Sequence, residues 1–278
     1  MRWPKARRMR EAVIVIPARY ASTRYPAKPL AKLRGATGES RSLLERSTIA
    51  ARAAAEATPG VTGIYIATDD ARIAEEARRI GADVIMTDPD CANGTERVAQ
   101  AMAREGLAQE IIVNLQGDAL LTPPHFVSAL IEAMRADASR QVATPVLRCD
   151  REALENFLSD RRAGRVGATT VVCDYFGNAM YFSKEVIPFT GALSAEVEIP
   201  VFHHVGLYAY TPKALQLYAK LPQGALERIE GLEQLRFLEH GHKIAAVEVS
   251  APGAAFWELN NPSDVPLIEA YLARMGMA

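Results

Sequence analysis

The sequence predicts an α/β protein: a mainly parallel, mixed sheet with helices on both faces and an antiparallel excursion late in the chain. Three observations predict it. Short β-branched runs such as Ala12–Ile16 are apolar throughout, as strands buried on both faces are. Between them apolar residues recur at helical spacing, which implies right-handed crossovers between parallel strands. Phe176-Gly177-Asn178 then lies between two strand-like runs and reads as a turn joining antiparallel neighbours.

Taken in order, strands are expected at Ala12–Ile16, Val61–Ile66, Asp83–Met86 and Ile111–Leu115. Leu43, Leu44, Ala50, Ala51 and Ala54 suit a helix after the first strand. Ile73, Ala74, Ala77 and Ile80 suit the next, Val98 and Met102 a third, and Val127, Leu130, Ile131 and Met134 a fourth. The second half is less regular. Val142–Leu147, Thr169–Cys173, Ala179–Phe182 and Val205–Tyr210 read as strands, and Glu227–Glu239 and Ser263–Ala273 as helices, the last capped by Ser263. Arg34–Ser42 and Pro188–Pro200 read as mobile loops. The expected organisation is a basic tail over residues 1–10 and one domain over residues 11–278, with an antiparallel section at about 140–210.

Composition narrows the function. Of 278 residues, 32 are Lys or Arg and 33 Asp or Glu, so a whole-protein basic field for nucleic acid is not expected. No apolar run approaches the roughly 20 residues of a membrane helix, so no membrane insertion is expected. The three cysteines, Cys91, Cys149 and Cys173, form no CxxC pair and suit a reducing, cytoplasmic setting.

Three segments carry candidate chemistry. After the first strand, Arg19, Arg24 and Lys28 recur in a loop at a strand's C-terminal end, where open α/β sheets bind ligands and where cations hold polyphosphate. By itself such a loop is more often merely solvated. There is no GxxxxGK[ST] and no GxGxxG, which sets aside P-loop kinases and dinucleotide-binding dehydrogenases. Gln116-Gly117-Asp118 follows the strand Ile111–Leu115, and a carboxylate there is placed to hold Mg²⁺ with substrate phosphates. Its plain reading is a turn cap. Asn93–Val98 follows the strand Asp83–Met86; its plain reading is a helix capped by Thr95. All three stand at strand ends that would line one crevice.

In order along the chain, PARYASTRYPAKPL (Pro17–Leu30), IATDD (Ile66–Asp70), NGTERV (Asn93–Val98), NLQGD (Asn114–Asp118), YFSKEVIP (Tyr181–Pro188), HHVGLYAY (His203–Tyr210) and GLEQLRFLEHG (Gly231–Gly241) resemble the 3-deoxy-manno-octulosonate (Kdo) cytidylyltransferases, from about Ala12 to about Leu272. The resemblance implies a Rossmann-like nucleotidyltransferase fold. It also implies transfer of CMP from CTP to the anomeric hydroxyl of a 2-keto sugar acid, with loss of pyrophosphate and Mg²⁺ as cofactor. By that resemblance Ala18, Arg19, Ser22, Arg24, Lys28, Thr68, Asp69, Gly94 and Gln116 would bind CTP. Arg19, Lys28 and Asp118 would carry catalysis. Gln116, Lys184, His204, Tyr208, Glu233 and Gln234 would meet the sugar acid, and Asp118 and Asn260 the metal. The resemblance further implies a homodimer through Tyr181–Pro188 and a product destined for lipopolysaccharide, capsule or other surface polysaccharide.

The chain departs from the family pattern in places. QGDEP of the family reads Gln116–Leu120 (QGDAL), and a metal-binding Asp near the C-terminus is replaced by Asn260. Thr170 stands where the family has Lys, and Lys184 where it usually has Arg. These fall on the metal and acceptor side, so other ulosonic acids, amino-Kdo among them, stay open as acceptors. A protein that binds CTP without turnover is the remaining alternative.

Overall fold

The computed structural model describes residues 8–21, 25–117, 120–166, 168–191, 197–251, 259 and 261–277. The first strand, β1 (Ala12–Ala18), is buried at every position. Ala12, Ile14, Ile16 and Ala18 enter one apolar cluster and Val13 and Val15 another. That split is why the run shows no polar alternation: it has a hydrophobic layer on each face.

A turn of 3₁₀ helix at Lys28–Leu30 leads into a small antiparallel hairpin, β2 (Lys32–Arg34) and β3 (Ser40–Ser42). The expected mobile loop at Arg34–Ser42 is thus an ordered turn with its closing strand, held by Gly35 N–H donating to the Glu39 carbonyl. Helix α1 (Leu43–Ala57) follows, capped by Ser42, whose side chain accepts from Glu45 N–H. Next come β4 (Val61–Thr68), α2 (Ala71–Arg79), β5 (Asp83–Met86), α3 (Gly94–Glu105), β6 (Ile111–Leu115) and α4 (Pro124–Ala136). β1 pairs in parallel with β4 on one side and β6 on the other, and β5 extends the sheet beyond β4. The winding direction therefore reverses beside β1, where such sheets open a crevice at their C-terminal edge.

The second half returns to the same sheet. It comprises β7 (Val142–Arg148), α5 (Arg151–Arg162), β8 (Thr170–Cys173), β9 (Ala179–Ser183), β10 (Phe202–His204), β11 (Leu207–Tyr210), α6 (Pro212–Tyr218), α7 (Ala225–Glu230), α8 (Leu235–Glu239), β12 (Ala245–Glu248) and α9 (Val265–Arg274). The strand order is β5-β4-β1-β6-β11-β7-β10-β8-β9, and β12 also pairs with β7. β11 runs antiparallel to β6, which makes the sheet mixed. The turn at Phe176-Gly177-Asn178 joins β8 to β9 as expected, with Gly177 at φ 77° and the Asp174 carboxylate accepting from Phe176 and Asn178 N–H.

Several expectations are corrected. Of the expected strand Val205–Tyr210 only Leu207–Tyr210 forms, and a separate strand, Phe202–His204, lies just before it. Glu227–Glu239 is two helices, because Gly231 ends α7 in the left-handed region at φ 63°. Ser263 does not cap the last helix; Asn261 precedes a 3₁₀ turn over Pro262–Asp264, and its N–H donates to the Asp264 carboxylate at 2.7 Å. Thr95 does not cap α3. Asn93 does, accepting from Glu96 N–H at 2.8 Å, and Thr95 is left for other contacts. Of the expected Pro188–Pro200 loop, residues 192–196 lie outside the described residues.

Candidate active site

The reversal beside β1 opens a crevice of about 380 Å³, lined by the ends of β1 and β6, the Lys28 turn and the start of α3. Each wall has a local cause. Tyr20 carbonyl accepts from Ala27 N–H at 3.0 Å, which folds the loop after β1 back on itself and returns Lys28 to the crevice beside Arg19. Ala27 sits at φ 58°, and among the described residues no other non-glycine has positive φ. An L-residue there costs about 1 kcal/mol, a strain this ligand loop retains. From outside, Arg72 lies 3.4 Å from the Tyr20 ring centroid and forms an ion pair with Asp70, the cap of α2. The motif Ile66–Asp70 thus props the cationic loop through Asp70.

Gly94 begins α3 at the tightest point. A Cβ there would stand 3.0 Å from Gln116 Oε1 and 3.3 Å from Pro17 Cγ, so a larger residue would press on the place where β1, β6 and the helix start converge. The first N–H groups of α3 carry positive partial charge toward the crevice, as suits an anion. Arg97, buried one turn into α3, also lines the crevice. Its guanidinium meets Asp69 Oδ1 at 3.0 Å and donates to the Thr87 hydroxyl. The sequence reading passed over Arg97 although it lies inside the Asn93–Val98 motif.

Of the residues expected at CTP, Ala18, Arg19, Lys28, Gly94 and Gln116 are brought together as crevice walls. Thr68 and Asp69 stand behind them. Thr68 is fully buried, with its hydroxyl accepting from Asp70 N–H, and Asp69 is engaged by Arg97. Ser22, Arg24, Asp118 and Asn260 lie outside the described residues.

The residues expected at the sugar acid divide. Gln116 and Glu233 border the crevice, and Gln116 Nε2 donates to Glu233 Oε1 at 3.4 Å. Glu233 also borders a second cavity of about 490 Å³, which shares Ala92 and Asn93 with the crevice. Its carboxyl is pushed up to about 7, chiefly by burial, against the pull of hydrogen bonds from Thr95. His204 and Tyr208 line neither cavity. His204 is buried with Nε2 2.9 Å from the Thr144 hydroxyl, and burial lowers it to about 3, so the imidazole is neutral. The Tyr208 ring stacks on Tyr210, 5.7 Å between centroids, inside the core. Gln234 is buried, and its Nε2 has no partner among the described residues. Lys184 N–H donates to Glu230 at 2.9 Å, which sets Lys184 against the α7–α8 corner. Its Nζ stands 3.0 Å from where a Cβ on Gly231 would be.

Leu120, just after Asp118, and Leu259, just before Asn260, belong to one apolar cluster with Leu33 and Leu43. Leu120 and Leu259 thus pack into one small core. One carboxylate and one amide oxygen, completed by phosphate and water, form a donor set Mg²⁺ accepts.

Comparison with known proteins identifies the family. The chain is 40% identical over 262 residues to a 3-deoxy-manno-octulosonate cytidylyltransferase of Maricaulis maris (strain MCS10), covering 94% of this chain and 97% of that one. It is likewise 40% identical over 262 residues to an 8-amino-3,8-dideoxy-manno-octulosonate cytidylyltransferase of Shewanella woodyi (strain ATCC 51908 / MS32), covering 94% and 98%. Among solved structures, a CMP:2-keto-3-deoxy-manno-octonic acid synthetase in complex with CTP superposes with a TM-score of 0.78 at 32% identity, over 95% of this chain and 99% of that one. A cytidylyltransferase family profile matches residues 13–244, and with these relatives the chain belongs to the cytidylyltransferase family.

Proposed function

We propose that this protein transfers the cytidylyl group of CTP to the anomeric hydroxyl of an eight-carbon 2-keto sugar acid, Kdo or its 8-amino analogue, and releases pyrophosphate. The observation that carries the reading is the convergence of Arg19, Lys28 and the α3 N-terminus with Gln116 and Glu233 in one crevice. The first group suits a triphosphate and the second a polyhydroxylated acceptor. Such a reaction is served by positioning and charge neutralisation more than by a side-chain nucleophile. Arg19 and Lys28 hold negative charge on the leaving pyrophosphate, and Gly94 lets the nucleotide approach the helix start. Asp118 and Asn260 would hold Mg²⁺, which when bound neutralises the phosphates.

The test is to incubate the protein with CTP, Mg²⁺ and a panel of sugar acids and follow pyrophosphate. Release with Kdo or amino-Kdo is the expected result. Release only with a sugar 1-phosphate, or none with any acid, overturns the reading. The product suits assembly of lipopolysaccharide, capsule or other surface polysaccharide. The free thiols of Cys91, Cys149 and Cys173 favour a cytoplasmic setting, and among the described residues no helix is long and apolar enough to cross a membrane.

A homodimer is part of the proposal. β9 ends the sheet order, and around it Met180 is 63%, Phe189 95% and Ile229 81% exposed. Apolar side chains of that size in one region of a sheet edge favour burial against a second copy. Sedimentation at micromolar concentration should give about twice the 30.3 kDa chain mass, and a single species at chain mass overturns the dimer.

A further inference from the structure

We infer that Arg72 is a positioning residue for CTP: from α2 it clamps the Tyr20 ring, and through Tyr20 it sets the loop that brings Arg19 and Lys28 to the crevice. The inference rests on the cytidylyl-transfer reading for its nucleotide and on nothing about the acceptor. Arg72 lines neither the crevice nor the cavity beside it, so it acts without touching substrate.

Tyr20 is the joint of the loop. Its carbonyl accepts from Ala27 N–H at 3.0 Å, and the chain runs from Ala27 straight into the turn over Lys28–Leu30. That turn is closed by Leu30 N–H donating to the Ala27 carbonyl at 2.8 Å. The Tyr20 ring packs against the apolar cluster that holds Ile14 and Ile16, and the Arg72 guanidinium lies 3.4 Å from its centroid. A shift of the ring would carry the carbonyl, and with it Ala27 and Lys28. Ala27 makes the loop dependent on such support. A non-glycine residue keeps a φ of 58° only where its surroundings impose it.

Arg72 is itself fixed. Nε donates to Asp70 Oδ1 at 2.9 Å and Nη2 to Asp70 Oδ2 at 2.7 Å, a fork that sets the plane of the guanidinium. The same carboxylate caps α2, and Asp70 N–H donates to the buried Thr68 hydroxyl at the end of β4. The Arg72 hydrogen bonds hold the Asp70 carboxyl below its usual range, so the pair stays ionised at neutral pH.

One turn further along α2, Glu76 meets Lys32 at 3.4 Å, just past the Lys28–Leu30 turn. Glu76 is steadied in turn by Arg79, which also reaches Glu45 of α1. Positions 72, 76 and 79 share one helix face. That face therefore grips the cationic segment at both ends, at Tyr20 and at Lys32. The Lys32 pair is longer, and Lys32 is more than half exposed, so Arg72 supplies the firmer hold.

The consequence is specific. A site whose competent form is only partly populated binds its ligand more weakly in proportion to that fraction. Loosening the clamp lowers the fraction of molecules with Arg19 and Lys28 in place before CTP arrives. Once CTP is bound, its phosphates hold both cations, and the chemical step proceeds as before. Loss of Arg72 should appear in CTP affinity and not in kcat.

Calorimetry of the full chain with CTP and Mg²⁺, without acceptor, tests this. Arg72→Ala should weaken CTP by roughly three- to tenfold, the reach of one cation–π contact and one exposed ion pair. Its kcat at saturating CTP should stay within about twofold of wild type. Tyr20→Phe keeps a ring face for the guanidinium and should bind CTP as wild type does. Tyr20→Ala should match Arg72→Ala, and the double variant should be no weaker than either, because both break one clamp. Trypsin supplies a readout free of turnover: cleavage after Arg19 should quicken in Arg72→Ala, and CTP should slow it again. Unchanged CTP affinity in Arg72→Ala overturns the inference. So does a fall in kcat with affinity kept, or losses that add in the double variant. If wild type binds CTP and turns over no sugar acid, the transfer reading falls while calorimetry still decides the clamp. If wild type binds no CTP, both fall.

Discussion

Arg236→Ala is expected to destabilise the protein by about 3–5 kcal/mol, the usual cost of stripping one partner from a buried ion pair. The side chain is 6% exposed and that of Glu227 3%, and the two meet in a fork of 2.8 and 2.7 Å bonds. The guanidinium also holds Glu96 at 3.0 Å and lies over the Tyr218 ring at 4.2 Å. It ties α8 to α7 and to the start of α3. Alanine would leave the Glu227 carboxylate buried with no cation. The thermal midpoint should drop by roughly 6–10 °C in a chain of this size. The pair Arg236→Met, Glu227→Gln should lose less, because no unpaired charge remains. A fall under 1 kcal/mol in urea unfolding of Arg236→Ala would show that water or movement of α8 rescues Glu227.

The second large effect concerns the metal. On the proposed reading Asp118→Asn should lower pyrophosphate release at least about 100-fold, several kcal/mol of transition-state stabilisation, since the charge proposed to hold a cation on the transferring phosphate would be gone. Activity within threefold of wild type would take Asp118 out of the mechanism. Asn260→Asp supplies the opposite change. If Asn260 is a ligand, the added charge should lower the Mg²⁺ concentration needed for half-maximal rate, and an unchanged requirement removes it.

Much of this was legible because the parallel half obeys a local rule. A strand such as β1, buried on both faces, writes itself as an unbroken apolar run, and α2 and α4 write themselves as helical stripes. The crevice followed from one fact, that Arg19, Lys28, Gly94 and Gln116 all follow strand ends. Elsewhere the deciding contacts are distant in sequence. β12 is four residues long and gains its identity only by pairing with β7. α5 shows a short apolar face and packs on a small separate cluster with Cys149, Ile199 and Val201. Thr95 read as a helix cap from its neighbours alone, yet its hydroxyl is taken by Glu233, well over a hundred residues away. His204 and Tyr208 are named by a motif that cannot show burial, and only the packing of Phe182 and Tyr210 around them does.

The antiparallel pairing of β11 with β6 bears on how the chain is made. β6 is buried along its whole length, and the edge it turns away from β1 is closed by Leu207–Tyr210. On the ribosome that partner emerges roughly ninety residues after Leu115, which at common synthesis rates is some 5–20 seconds. For that interval the nascent chain carries Ile111–Leu115 with one side of the strand unpaired, an apolar edge of the kind that recruits other chains or chaperones. A message broken anywhere between those two strands therefore yields a fragment that keeps its nucleotide-loop half and lacks the strand that makes it safe from aggregation.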